Sequence, residues 1–467
     1  MTAAPAPVIV GAGPAGIRAA AALAAHGVRP ILIDEAARAG GQIYRRPPPH
    51  FSRPASTLYG MEAARATALH AAIDGLGDRI DYRPDSLVWN AQDSQLDVLH
   101  GPSRTTRCVP YGQLIVATGA TDRVLPVPGW TLPGVYTLGG AQVALKFQGC
   151  AIGRRVVFAG TGPLLYLVAY QYARAGVDVA AVLDTARLAQ QVAAVPAMLT
   201  QPVVLTKGLY YVGWLRAHGV AVRTGVHLER MEGEPGQERV RSVTWREGGE
   251  QHSIDCDAVG FGYALRSETQ LADLLGCRFA FAPLQRAHLP ERDAQGRSSV
   301  SGVYLAGDGA GIMGADAAEW AGELAALTLL ADQGVAVDNG RAAALQRRLA
   351  RSTVFRAGLE RAFPFPGDWA ARAPDDVVVC RCENVTAGEL RQCARDTGAD
   401  EMNRLKALTR VGMGRCQGRM CGAAAAEVLA HAAGKPVQQV GRLRAQAPLK
   451  PIPIALVQGS ASPEVTA

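Results

Sequence analysis

The chain runs to 467 residues, 48% of them hydrophobic and 19% charged, which suits about three packed domains and excludes a disordered chain. Its formal charge of +7 raises the question of nucleic acid, but the 48 basic residues are five lysines and 43 arginines, scattered without a run of five or interleaved aromatics. That is a solvated surface charge, and no nucleic-acid partner is expected.

The opening MTAAPAPVIV has neither a basic head nor a cleavable apolar core, and the apolar run at 19–25 is too short to span a bilayer. A cytoplasmic chain is expected. Residues 8–10 read as a strand, followed by GAGPAG, an alanine-rich helix and the strand PILID ending at Asp34. Gly11 permits the tight turn, Gly13 lets a pyrophosphate approach the backbone, and Gly16 lets helix and strand pack closely. The helix N-terminus offers free N–H groups to phosphate, and Asp34, with Glu35 beside it, offers carboxylate to a ribose. A dinucleotide is expected, with FAD, NAD or ATP all compatible with this motif alone.

Proline-rich RRPPPHFSRP (45–54) reads as an exposed loop. A second strand–glycine–helix unit begins at RRVVFAGTGPLLYL, and Asp184 ends the strand after it. Leu165 stands where the third glycine belongs, which spoils the phosphate cradle and leaves NAD(P) binding doubtful beside a purely structural domain. LIVATGA (114–120) and GVYLAGDGAG (302–311) read as strands returning to the first sheet, and no C-x-x-C accompanies either nucleotide unit.

Residues 346–376 read as a linker, 377–445 as a cysteine module and 446–467 as a weakly patterned tail. Nine cysteines, odd in number and unevenly spaced, are not a disulfide framework. Four of them, Cys380, Cys382, Cys416 and Cys421, lie in VVCRCE and GRCQGRMCG between glycine turns. TAGE (386–389) is a capping box, and a helix is expected after Gly422. A C-x-C with a C-x4-C suits a [2Fe–2S] cluster better than the paired knuckles of zinc. Zinc stays the alternative.

Resemblance narrows these readings. ARAGGQIYR, IVATGA and VYLAGDGAG resemble the successive motifs of the thioredoxin reductase and glutathione reductase group. This implies an α/β fold of two dinucleotide-binding domains, one inserted in the other: 1–130 with 285–345 for FAD, and 131–284 as the NAD-like domain. It also implies flavin contacts at Gly41, Thr118, Gly119, Gly307 and Asp308, the last having a helix-capping role as its alternative. CRCENVTAGEL…KALTRVGMGRCQGRMCG resembles the bacterioferritin-associated-ferredoxin-like [2Fe–2S] domain, here a small α-rich one. Joined to such a flavoprotein, it resembles the group formed by the larger (α) chains of opine oxidase and D-hydroxyproline dehydrogenase and the HcnB chain of hydrogen cyanide synthase. Heterotetrameric sarcosine oxidase is more distant.

That resemblance implies a hetero-oligomer. A D-amino-acid-oxidase-like β subunit with its own FAD performs the substrate chemistry, a small ferredoxin-like γ subunit can join, and electrons leave to a quinone or another acceptor, which would bring the complex to the membrane periphery. An FMN can sit between subunits, with Gln42, Arg45 and Lys146 either its contacts or plain loop side chains. No acid–base pair is expected on this chain. Two rival functions remain: a self-sufficient NAD(P)H-dependent reductase with a [2Fe–2S] outlet, and a zinc-binding docking protein.

Overall fold

The computed structural model describes residues 5–233 and 239–454. Val8–Val10 is apolar and buried on both faces, which fits the interior of a parallel sheet. It lies centrally in the order Val303–Leu305, Leu114–Val116, Val8–Val10, Ile31–Ile33, Asp81–Arg83, every neighbouring pair parallel. Both returning strands join where the sequence suggests. A second five-stranded parallel sheet is ordered Ala221–Thr224, Asp178–Asp184, Arg155–Thr161, Ala258–Tyr263, Val135–Thr137. The chain passes between the sheets through an antiparallel ribbon of Ala120–Asp122 and Leu265–Ser267. One nucleotide fold is thus inserted in the other.

The glycines hold their positions through close approach. Gly11 has φ +107°, and a Cβ there would stand 2.3 Å from the Ala117 carbonyl oxygen. A Cβ on Gly16 would stand 1.8 Å from the Gly11 oxygen, so helix Pro14–Ala25 can seat against its strand only with glycine there. The same helix packs on Ala315–Asp332, where Gly322 lets the Ala15 backbone approach.

The cysteine module is a short hairpin, Val378–Cys380 with Val385–Thr386, and helices Ala387–Thr397, Met402–Thr409 and Gly422–Ala432. The capping box forms as expected: Thr386 Oγ1 accepts the Glu389 N–H at 3.2 Å, and Glu389 accepts the Thr386 N–H at 2.7 Å. Trp130 Nε1 donates to the Val378 carbonyl at 2.6 Å and Trp369 Nε1 to that of Pro126 at 2.9 Å, so the module shares a core with the second sheet.

Two expectations need correction. The stretch 346–376 begins inside a 24-residue helix, Asn339–Ala362, which packs against Leu188–Met198. The described part of the tail is also tied down: Leu449 is 5% exposed in the core beneath the first sheet, and its N–H donates to the Trp89 carbonyl at 2.8 Å. Residues 455–467 of that tail lie outside the described residues. The proline loop 45–54 has no regular structure and is only partly exposed. Among the described residues no helix is long and apolar enough to cross a membrane.

Candidate cofactor groove and cysteine site

The glycine turn opens onto a cavity of about 1440 Å³. Gly11, Gly13, Asp34, Glu35, Gly41, Gln42, Arg45, Thr118, Gly119, Lys146, Gly307 and Asp308 all line it. Gly16 does not; it acts from behind, through packing. Asp34 accepts N–H groups from Ala12 at 2.5 Å and Ala36 at 2.7 Å. Burial pushes its carboxyl up, and those two N–H bonds oppose the rise. Asp308 Oδ1 accepts the N–H groups of Met313 and Gly314 at 2.8 and 3.0 Å, just before helix Ala315–Asp332. The capping role therefore exists, on a carboxylate that still faces the groove.

Gln42, Arg45 and Lys146 come together at one end. Arg45 Nη2 donates to Gln42 Oε1 at 2.7 Å, and the guanidinium lies over the Phe147 ring. Lys146 sits in a π-helical turn, Ala144–Gln148, only 4% exposed, and its ammonium reaches the Ile43 carbonyl at 3.4 Å. Burial without a carboxylate partner pulls its pKa down to about 8. A buried cation facing a cavity, beside an Arg45 Nε that also has no hydrogen-bond partner, fits a ligand that brings negative charge.

The second glycine unit is filled from within. A Cβ on Gly160 would stand 1.8 Å from the Gly262 oxygen, so that glycine serves strand packing. Leu165 is fully buried. Asp184 is also fully buried, and its carboxylate accepts from Tyr166 Oη at 2.6 Å, Gln191 Nε2 at 3.1 Å and the Ala186 N–H at 2.9 Å. Burial pushes its pKa up to about 6, against those hydrogen bonds. The carboxylate that a ribose would need is occupied by this chain's own side chains.

The four module cysteines touch in a row, Cys380 to Cys421 to Cys416 to Cys382. Cys380 and Cys421 are buried, Cys416 is half-buried and Cys382 is exposed. A hydrogen bond from Cys421 holds Cys380 down to about 6, helped by the N–H groups of Gly412, Glu383 and Cys382. Cys421 likewise holds Cys416 down to about 5, with N–H groups of Met420 and Gly418 adding to it. As donor to both, Cys421 is raised; burial raises Cys382. The loops are thus built to stabilise sulfur as an anion. Among the described residues no group of three or more Cys, His, Asp or Glu side chains is arranged around a single metal ion. The sulfurs form a row rather than a ring about one point.

The cysteine loop meets the groove directly, since Cys416, Arg419, Met420 and Arg381 line the same cavity. Arg419 pairs with Glu268 at 2.7 Å, both side chains nearly buried, and Thr118 Oγ1 donates to the Glu268 carbonyl at 2.6 Å. Arg266 donates to the Gly418 and Arg419 carbonyls, and Gln270 to that of Gln417. Sequence reasoning missed this clasp. Its halves lie about 150 residues apart in the chain, and local pattern carries no sign of such pairing.

Residues 6–322 match the model of the pyridine nucleotide-disulphide oxidoreductase family, and residues 377–460 match that of the sarcosine oxidase A3 domain. The chain belongs to the pyridine nucleotide-disulphide oxidoreductase family. More narrowly, it is 36% identical over 464 residues to the A chain of opine oxidase from Agrobacterium tumefaciens (strain Ach5), an alignment spanning 96% of this chain and 90% of that one. It is 38% identical over 466 residues to hydrogen cyanide synthase subunit HcnB of Pseudomonas protegens, spanning 96% of each. L-proline dehydrogenase from P. horikoshii superposes with a TM-score of 0.70 at 19% identity, over 97% of this chain and 79% of that one, a likeness of fold. The chain is an FAD-dependent oxidoreductase subunit, and its groove is the flavin site of that fold.

Proposed function

We propose that this chain is the electron-relay subunit of a heteromeric amine- or imino-acid oxidase, with FAD in the first groove and a [2Fe–2S] cluster on Cys380, Cys382, Cys416 and Cys421. The observation that carries the reading is the single cavity shared by the dinucleotide groove and the cysteine loop, with Arg419, Glu268 and Thr118 fixing one against the other. When bound, the flavin supplies two-electron chemistry and the cluster one-electron transfer. The chain's own residues position and tune. Glycine-loop N–H groups receive the pyrophosphate, N–H groups of the cysteine loops point at sulfur, and Arg266 and Arg419 place positive charge beside an anionic centre.

The relatives' names, subunits of opine oxidase and hydrogen cyanide synthase, support an assembly in which substrate is oxidised elsewhere. On this reading a D-amino-acid-oxidase-like β subunit carries substrate chemistry, and a small γ subunit can complete the complex. Lys146, Arg45 and Gln42 meet an interface FMN, and a quinone or other carrier takes the electrons. Residues 1–130 with 285–345 hold the flavin, 131–284 form the scaffold beside it, and 377–445 hold the cluster. Zinc in the module is the competing reading, and one preparation separates the two. Anaerobically purified protein is expected to carry about two irons, with visible absorption that Cys380→Ser or Cys421→Ser abolishes while FAD stays bound. One zinc and no iron would overturn the cluster, and loss of FAD from the serine variants would make the module structural.

A further inference from the structure

The segment after the cysteine module ends against the dinucleotide groove. Asp273, 6% exposed, anchors its start by accepting from Arg442 at 2.6 and 2.7 Å, Arg444 at 3.0 Å and the Ala445 N–H at 2.6 Å. Lys406 Nζ then donates to Gln446 Oε1 at 2.9 Å. Leu449 is buried with Val8, Val10 and Ile33, and its carbonyl accepts from Arg419 Nη1 at 2.7 Å. This anchoring delivers the next residue, Lys450, to the groove wall beside Asp34, Leu87 and Val88, with its ammonium against the Glu35 carboxylate.

The contact is not there for stability. Lys450 is 35% and Glu35 49% exposed in the side chain, and pairs this exposed contribute at most about 1 kcal/mol. Nor is it a random surface charge. The chain has only five lysines, and Lys146, Lys207 and Lys450 all line this one cavity. At the end where a ribose is expected, Asp34 and Glu35 put two carboxylates in the path of a dianionic pyrophosphate. A lysine there offsets one of those charges and offers N–H donors that neither carboxylate can supply.

We propose that Lys450, held by the anchored strap 445–450, is a dinucleotide-binding residue that completes the adenosine–ribose end of the groove. The proposal rests on the reading of the first groove as the FAD site. It makes the strap beyond the cysteine module part of the cofactor's binding site, so FAD is held from both ends of the chain.

The test titrates apo full-length chain with FAD, followed by flavin fluorescence, and separately with ADP, which fills only the adenosine end, followed by calorimetry. Lys450→Glu is expected to weaken both ligands about tenfold, and Lys450→Ala by less. Glu35→Lys combined with Lys450→Glu is expected to recover part of the loss, and the bound-flavin spectrum should not change. Circular dichroism checks that the exposed substitutions leave the fold intact. Unchanged ADP and FAD affinity in Lys450→Glu overturns the proposal. A wild-type chain that binds ADP but no FAD, with ADP weakened in Lys450→Glu, sinks the flavin reading and keeps the strap.

Discussion

Asp184 shows how one residue can keep a fold while giving up a ligand. Its carboxylate ends the strand where a dinucleotide's ribose would hang, yet Tyr166, Gln191 and the Ala186 N–H already occupy it. Its pKa is raised to about 6 from 3.8, chiefly by burial. A raised carboxyl favours the folded state fully below its unfolded pKa, and that contribution is lost as pH climbs through the folded one. Asp184→Asn should therefore be more stable than wild type above pH 6, by up to about 3 kcal/mol, and the difference should vanish below about pH 4. Thermal melts across pH 4 to 8 read this directly. A variant less stable than wild type at pH 8 would show that the hydrogen bonds outweigh the burial.

At the scale of elements, the cysteine loop Cys416 to Cys421 is held against the ribbon strand Leu265–Ser267 and the residues after it. Burial pushes Glu268 up, and Arg419 and Arg266 outweigh it, so the carboxyl ends below the usual range. The stabilisation is present above the ordinary glutamate pKa and fades as pH falls through the lowered one. Glu268→Ala should cost about 3 kcal/mol at neutral pH, because it leaves Arg419 nearly buried without its partner. Replacing both by apolar residues should cost less, and urea unfolding of the three variants gives the comparison. None of this was legible in sequence. What was legible was local: the glycine turns at 11–16, the capping box at 386–389, and the helix after Cys421. Helix Asn339–Ala362 was missed for a physical reason. Its buried face includes Ser352 and Gly358, where a Cβ would stand 2.8 Å from Ala197, so close packing rather than hydrophobicity places it.

For the whole molecule, the two nucleotide folds are unequal. One opens a large groove toward the cysteine module, and the other has its glycine committed to strand contact and its carboxylate sealed. Electrons should enter from a partner chain. Anaerobic NADH or NADPH added to the purified protein should leave the flavin absorption unchanged within minutes, whereas dithionite should bleach it. Rapid bleaching by NADPH would restore the self-sufficient reductase. Lys146 and Arg45, unpartnered cations facing the cavity, mark where that entry is to be sought.

The order of strands in the first sheet carries one more consequence. Leu114–Val116 is wholly buried because Val303–Leu305, synthesised much later, lies along its free side. Cut the gene after residue 130 and this strand becomes an open, uncharged, apolar edge, which invites sheet-to-sheet association between copies. The flavin-binding half therefore cannot be borrowed as a continuous cassette. Anyone grafting it onto another enzyme must carry the inserted domain along, or supply the missing strand by circular permutation.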